Sequence, residues 1–433
     1  MSSQFSDLSL KLTKKILSSD EKKNNGIYFT PFDIIKLTIS IINNSDDKHT
    51  IKKILEPSCG SCEFINYIDT IFNDTEITGI EYNDTIFNSI KDLKIKNNSL
   101  NLFNDDYLKF DIENNDKYDL IIGNPPYYVI SNKSEINKMK KYKEYYEGRA
   151  NIFILFIIHS LMKLNDNGIL AFVLPKNFLN CQYYNKLRNH IYYNYNIIDI
   201  IDCSNYSYIE TTQDTIIFII KKSSIDITNN IKFSIYDNDN DNDNDNDNDN
   251  DNKIIFNSKE TIIKLKELYL NSTKLHQMNF EVKVGTIVWN QHKKILTNDK
   301  TKTILLYNSN VTKDNEIKLM EFKNEEKHQY INLEGTHFEG TKQPVIVVNR
   351  GNGNSAYKLN YAFIDDTTAE YVVENHLNVI YSKTTRLKPE LMTLFQQVLN
   401  SFKNERTQQF IKTFLGNNGL SKTELETIFP IYI

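Results

Sequence analysis

Residues 118–127 read Tyr-Asp-Leu-Ile-Ile-Gly-Asn-Pro-Pro-Tyr. An apolar run of strand length, Tyr118–Ile122, stops abruptly at Gly123 and two prolines. A short unbroken apolar run bounded by turn residues is the pattern of a strand covered on both faces, as in a parallel sheet. Pro125 and Pro126 fix the turn and bring no amide that needs a partner. In an open α/β sheet, ligands bind at the carboxyl ends of the strands, and Asn124-Pro125-Pro126-Tyr127 stands at such an end. Asn124 offers a side-chain carbonyl and Pro125 a main-chain carbonyl. Two acceptors converging on one amino group hold both its hydrogens and push its lone pair toward tetrahedral geometry. Tyr127 adds an aromatic face for a planar ring.

Working outward, the pattern alternates helix and strand. Phe32–Ile42 reads as an amphipathic helix, and Lys53–Leu55, Glu76–Ile80 and Asn101–Asn104 as strands. Asn151–Lys163 reads as a strongly apolar helix, followed by a loop at Asn165–Gly168. Ile169–Leu174, Ile197–Asp202 and Thr215–Ile220 are further strands. This alternation predicts a parallel α/β sheet with helices on both faces.

Three more strand ends carry informative residues. The first is followed by Glu56-Pro57-Ser58-Cys59-Gly60-Ser61-Cys62, a small-residue loop that lets a ligand approach the backbone closely. It lacks the glycine spacing of a dinucleotide site and the Lys of a phosphate loop. An ordinary tight turn accounts for it equally well in isolation. Glu81 closes the second strand, where a carboxylate suits a ribose diol. Asp105-Asp106-Tyr107 follows the third and suits an exocyclic amine. The order and spacing of these features together favour one nucleoside-shaped site. Cys59 and Cys62 form a CxxC, but Cys181 and Cys203 stand at no useful spacing, so no metal is expected.

An alternating Asp-Asn tract, free of apolar residues, occupies 237–252 and cannot bury anything. It predicts a catalytic part at 1–235, a linker at 236–252 and a second part at 253–433. The formal charge is −5; without the tract's eight Asp, 48 acidic residues face 51 basic ones, a balance of +3 that permits nucleic-acid binding. In the second part Lys259–Tyr269 and Leu391–Leu415 read as helices. Thr303–Tyr307, Pro344–Asn349 and Val372–Ile380 are β-like, which gives an α+β pattern. The longest apolar run, Ile152–Ile158, is far short of a membrane span, and four Cys in 433 residues suit a reducing compartment. The expectation is a cytoplasmic protein without membrane contact.

The set of motifs resembles the gamma-class, TaqI-like DNA adenine-N6 methyltransferases of type II restriction–modification systems. Tyr28-Phe29-Thr30-Pro31 resembles the family's motif ahead of the first strand, and Leu55–Gly60 its S-adenosylmethionine loop. Glu81 matches the ribose-binding acid, Asp106 the acid beside the adenine, and Asp119–Tyr127 the catalytic motif. Asn151–Phe178 resembles the following helix–strand segment, which ends in Leu-Pro-Lys-Asn. Gly416–Leu425 and Pro430 resemble the family's chain ends. The likeness is good over residues 26–222 and weaker beyond the tract.

The resemblance implies a Rossmann-like S-adenosylmethionine-dependent catalytic domain followed by a separate α+β target-recognition domain. It implies S-adenosylmethionine as cofactor, double-stranded DNA as substrate, a cognate restriction endonuclease as a candidate partner, and no metal. Asn124, Pro125 and Tyr127 are the catalytic candidates. Thr30, Glu56, Pro57, Ser58, Cys59, Gly60, Glu81, Asp106, Asn124 and Pro126 are the cofactor candidates. Tyr127 and Tyr208 would stack on the flipped base, with Tyr206 as an alternative to Tyr208. Lys140, Lys141 and Arg149, in a basic and aromatic stretch after the tetrad, and Arg350, in a turn-rich segment, are the DNA-contact candidates. The cytoplasm would be a bacterial one or, for a giant virus, that of its host. Competing readings are an RNA adenine or guanine methyltransferase, a protein-glutamine methyltransferase with the same tetrad, and an inactive specificity subunit. The large segment after the motifs, and the intact tetrad and Glu81, favour an active DNA enzyme.

Overall fold

The structure is a computed structural model. It describes residues 4–44, 50–110, 116–130, 140–148, 151–211, 213–237, 253–351, 357–365, 369–383, 388–415 and 419–433. The chain forms two units, 1–262 and 263–433.

The first unit is built on a seven-stranded sheet of β1 (Lys53–Glu56), β2 (Glu76–Glu81), β3 (Ser99–Asn104), β4 (Tyr118–Gly123), β5 (Leu164–Pro175), β6 (Asn196–Asp202) and β7 (Thr215–Lys221), in the order β3-β2-β1-β4-β5-β7-β6. The expected strands are present, but the sheet is mixed rather than parallel, because β7 runs antiparallel to both β5 and β6. No crossover helix lies between β6 and β7 among the described residues, and a chain that returns without one must pair antiparallel. The expected loop at Asn165–Gly168 is also corrected. It lies within β5, where Asn167 takes a left-handed φ of 65° and the register against β4 shifts.

Side chains alternate across the sheet into two cores. Ile121, Leu170, Phe172, Leu174 and Phe218 join one, with the helices α6 (Ile152–Lys163) and α7 (Asn185–Asn194). Leu120, Ile122, Ala171, Val173 and Ile217 join the other, with α3 (Phe32–Asn43) and α4 (Glu63–Ile71). Both faces of β4 and β5 are thus covered, as their continuous apolar sequence requires.

The boundary between units differs from the 236–252 linker. β8 (Ser234–Asp237) pairs antiparallel with β9 (Lys253–Phe256), and the Nε of Arg188 on α7 donates to the Ile254 carbonyl at 2.6 Å. The strands on either side of the tract therefore belong to one unit, and the division falls after Ile262. Residues 238–252 lie outside the described residues.

The second unit is α+β, as its sequence pattern predicts. One antiparallel sheet orders Phe280–Val284, Leu377–Ser382, Val345–Asn349 and Tyr361–Ile364; a second includes Thr303–Leu306 and Tyr371–Val373. The β-like run 372–380 is split between the two sheets. The helical run 391–415 is likewise broken at Asn404, whose side chain caps a new helix by accepting from the Arg406 amide at 2.9 Å. Among the described residues no helix is long and apolar enough to cross a membrane.

Candidate active site

Four strand ends and an N-terminal segment meet around one open cavity with about 1110 Å³ of space not filled by atoms. Of the cofactor candidates, Pro57, Ser58, Gly60, Glu81, Asp106, Asn124 and Pro126 line it. Thr30, Glu56 and Cys59 do not line it and stand behind its wall.

The loop after β1 is held open by the backbone. Gly60 has φ 52°, Cys62 has φ 62°, and the Cys59 amide donates to the Ile80 carbonyl at 2.9 Å. The Ser58 hydroxyl donates to the Asn124 carbonyl at 3.0 Å, which ties this loop to the tetrad. Cys59 and Cys62 are buried and form no disulfide; the hydrogen bond between them, then burial, pushes the Cys59 thiol well up, while burial raises the Cys62 thiol against the pull of that bond. Among the described residues no group of His, Cys, Asp or Glu is placed to hold a metal.

Glu81 ends β2 with both carboxylate oxygens fixed: one accepts from the Gly60 amide at 2.9 Å, the other from the Asn83 amide at 2.7 Å. Burial raises its pKa to about 7 against the pull of these donors. Glu56 is buried deeper. Its Oε2 meets no hydrogen-bond partner among the described residues, and desolvation, with Cys59, Glu63 and Glu81 nearby, pushes its pKa well up. Glu56 packs behind Gly123, where an added Cβ would lie 3.3 Å from its Cγ. Gly123 also has φ 151°, so both space and backbone require glycine there.

At the other end of the cavity Asp106 accepts from the Leu108 amide at 3.1 Å. Phe29, Ile86, Ile130, Ile152, Leu155 and Phe156 supply apolar surface. Sequence reading missed most of this wall. Ile152, Leu155 and Phe156 share one face of α6 by their spacing, and that was the available signal. Tyr28 and Phe29 belong to the motif Tyr28–Pro31, but Asn25–Ile27 gave no such signal, because an irregular segment has no periodicity to read.

The tetrad's geometry is decisive. The Asn124 Nδ2 donates to the Tyr28 carbonyl at 3.2 Å and to the Thr30 hydroxyl at 3.0 Å. The amide nitrogen is thereby turned to the N-terminal segment, and Oδ1 is left facing the site. The Tyr127 hydroxyl lies 2.5 Å from that Oδ1 and 2.7 Å from the Val173 carbonyl. Pro125 is buried, while Pro126 and Tyr128 line the cavity. Tyr127 and Tyr208 are close enough for Tyr208 to reinforce the rise that burial imposes on the Tyr127 hydroxyl. The Tyr208 hydroxyl bonds to the Thr215 hydroxyl at 3.1 Å, and Tyr206 and Tyr208 both pack against the same core cluster.

Residues 1–209 match the Eco57I restriction-modification methylase family. That match spans just under half of the chain, and the relatives it resembles along nearly its full length are restriction–modification methyltransferases. It is 23% identical to the type II methyltransferase M.CvrRI of Paramecium bursaria Chlorella virus XZ-6E, over 99% of each chain. It is 24% identical to the modification methylase CviBIII of Paramecium bursaria Chlorella virus NC1A, over 97% of each. With the type II methyltransferase M.AccI of Acinetobacter calcoaceticus it shares 29% identity over 39% of this chain and 31% of that one.

A restriction–modification methyltransferase moves a methyl group from S-adenosylmethionine to DNA, and the cavity fits that cofactor. The fixed carboxylate of Glu81 is an acceptor pair for a ribose diol. The apolar surface around Phe29, Ile86 and Phe156 suits a purine ring, and the bare backbone at Gly60 leaves room for the remainder.

The DNA-contact candidates fall on three separate stretches of the chain. The backbone of Lys140 and Lys141 opens a 3₁₀ turn, Lys140–Tyr145, and Arg149 lies outside the described residues. Arg350, in the second unit, is half-buried and donates from Nη1 to the Asn375 carbonyl at 2.9 Å.

Proposed function

We propose that the chain methylates the N6 amino group of adenine in double-stranded DNA. The orientation of Asn124 carries the reading: with Nδ2 tied to Tyr28 and Thr30, the group it presents is an acceptor. An acceptor at the site recognises a substrate N–H and has nothing to offer a carbon nucleophile.

Adenine N6 is paired within the duplex, so the base must leave the stack to reach this site. Asn124 Oδ1 and the Pro125 carbonyl accept the two amino hydrogens, which orients the nitrogen lone pair away from the ring plane. Tyr127 and Tyr208 offer aromatic faces to the extruded base. S-adenosylmethionine, when bound, supplies an electrophilic methyl carbon and keeps the bonding electron pair on sulfur as the methyl passes to nitrogen. Asn124 and Pro125 then stabilise the positive charge that appears on N6, and the newly acidic nitrogen sheds its proton without a strong base. Catalysis is mainly positioning and electrostatics. The unit 263–433 serves as the target-recognition part in this reading, and a restriction endonuclease of matching specificity is its functional counterpart.

The test incubates the protein with methyl-labelled S-adenosylmethionine and, separately, duplex DNA, RNA and a protein extract, then digests and identifies the labelled species. N6-methyladenine from DNA is the expected product. N4-methylcytosine, or label confined to RNA or glutamine, would overturn the reading.

A further inference from the structure

A buried charge lies beside the site and the chemistry above does not use it. Lys22, on the helix α2 (Ser19–Asn25), is only 6% exposed. Its ammonium donates to the Thr13 carbonyl at 2.7 Å and pairs with Glu210 at 2.6 Å. Burying an ammonium costs several kcal/mol before its partners repay it, so such a pair is a poor way to gain stability and a good way to select one geometry.

What the pair selects follows from its neighbours. The helix ends at Gly26, and the Ile27 amide returns to the Lys22 carbonyl at 2.9 Å. Ile27, Tyr28 and Phe29 form a two-sided wall. One side faces the cofactor cavity; the other, with Thr13, borders a small crevice against Tyr208, Ile209 and Glu210. The Tyr28 carbonyl also holds Asn124. Glu210 is two residues from Tyr208, whose hydroxyl bonds to the Thr215 hydroxyl at 3.1 Å. The ion pair is therefore the charged fastening between the loop that carries Tyr208 and the wall that orients Asn124.

We propose that Lys22 and Glu210 are positioning residues for Tyr208, holding its ring in register with Asn124 so that an extruded base meets both at once. This rests on the adenine-methylation reading above. Misplacing such a ring by about an ångström costs up to about 100-fold in rate. The pair touches neither base nor cofactor.

The experiment is a double-mutant cycle on the full chain. Methyl transfer to unmethylated plasmid DNA is measured for the wild type, Glu210→Gln, Tyr208→Ala and the double variant, and binding of S-adenosylhomocysteine is measured for each. Glu210→Gln keeps the size and hydrogen-bonding capacity of the side chain; a thermal melt confirms that it folds, and Glu210→Asp provides a second, charge-retaining variant. Glu210→Gln is expected to lower kcat/KM for DNA about 10-fold in the wild-type background but less than about 2-fold beside Tyr208→Ala, because residues acting through one another are non-additive. S-adenosylhomocysteine affinity stays within about 2-fold throughout, and Glu210→Asp recovers part of the loss. Equal losses in both backgrounds, no loss in the first, or a parallel fall in S-adenosylhomocysteine affinity would overturn the inference while the wild type still methylates DNA. A wild type that binds S-adenosylhomocysteine but labels no DNA adenine would instead sink the functional reading, and the inference with it.

Discussion

The hydroxyl of Tyr127 lies 2.5 Å from Oδ1 of Asn124, the atom expected to receive the substrate amine. The same hydroxyl is 2.7 Å from the Val173 carbonyl, so its one proton has two acceptors to choose between. The aromatic residue of the tetrad thus fills the acceptor position of its own active site. Under the proposed adenine-methylation reading, base entry displaces that hydroxyl, and the ring that moves aside is the one proposed to stack on the base. Substrate binding and site opening become one event.

This separates the two roles of Tyr127. Tyr127→Phe keeps the ring and frees Oδ1, and kcat/KM for DNA is expected within about 3-fold of wild type. Tyr127→Ala loses the stacking face, worth about 1–3 kcal/mol per base, and kcat/KM falls by about 5- to 150-fold. Steady-state transfer of labelled methyl groups to duplex DNA reads both. Equal losses in the two variants would show that the hydroxyl, not the ring, matters.

Asn124→Ala removes the oriented acceptor and leaves the Tyr28 carbonyl and Thr30 hydroxyl without their donor. Loss of one preorganised hydrogen-bonding group costs about 10²- to 10³-fold in kcat. Thr30→Val is expected to act in the same direction but less strongly, because Thr30 lies outside the cavity and only fixes which way the amide points. Single-turnover rates separate these effects from DNA affinity.

Gly26 has φ 63°, and a Cβ built on it would stand 2.6 Å from the Tyr127 backbone nitrogen. The left-handed backbone alone penalises Gly26→Ala by about 1 kcal/mol, and the contact pushes on the tetrad itself. The expected outcome is a loss of activity larger than the loss of thermal stability predicts. A variant that merely melts earlier, with full activity below its melting point, would contradict this.

The fold was legible because strands buried on both faces announce themselves as unbroken apolar runs. Tyr118–Ile122, Ile169–Leu174 and Thr215–Ile220 were readable for that reason. The direction of β7 was not, since an apolar strand reads the same whichever way it runs. The Asp-Asn tract misled in a different way: its composition shows that it cannot be buried, but not that β8 and β9 on either side of it pair with each other. At the site, single residues with fixed chemistry at strand ends, such as Glu81 and Asn124, were legible. The part of the wall formed by Asn25–Ile27 was not, because its place depends on tertiary contacts that leave no local pattern.

Arg188 tests the core of the first unit. It is 2% exposed, and its guanidinium donates to the carbonyls of Ile254, Phe178 and Cys181 at 2.6, 2.9 and 2.8 Å. Arg188→Met keeps the bulk but strands three carbonyls, each worth on the order of 1–3 kcal/mol when left buried without a donor. Denaturant unfolding is expected to show a loss of about 3 kcal/mol or more. A change below about 1 kcal/mol would mean that water reaches those carbonyls.

Glu81 makes cofactor affinity depend on pH near neutrality. Its pKa is raised to about 7 by burial, and a ribose diol needs the ionised carboxylate as acceptor. Protonation therefore competes with binding, and affinity rises as pH climbs through 7. If only the ionised form binds, S-adenosylhomocysteine should bind about 10-fold more weakly at pH 6 than at pH 8. The effect on folding has the opposite sign. The folded pKa lies above the unfolded one, so without ligand this group's contribution to stability is full at low pH and is lost as pH rises from about 4.5 to 7. The stabilisation that S-adenosylhomocysteine confers in a thermal melt should therefore grow from pH 6 to pH 8. Glu81→Gln should bind weakly and show a flat profile over that range. An unchanged pH dependence in Glu81→Gln would assign the titration to another group and remove Glu81 from the ribose site.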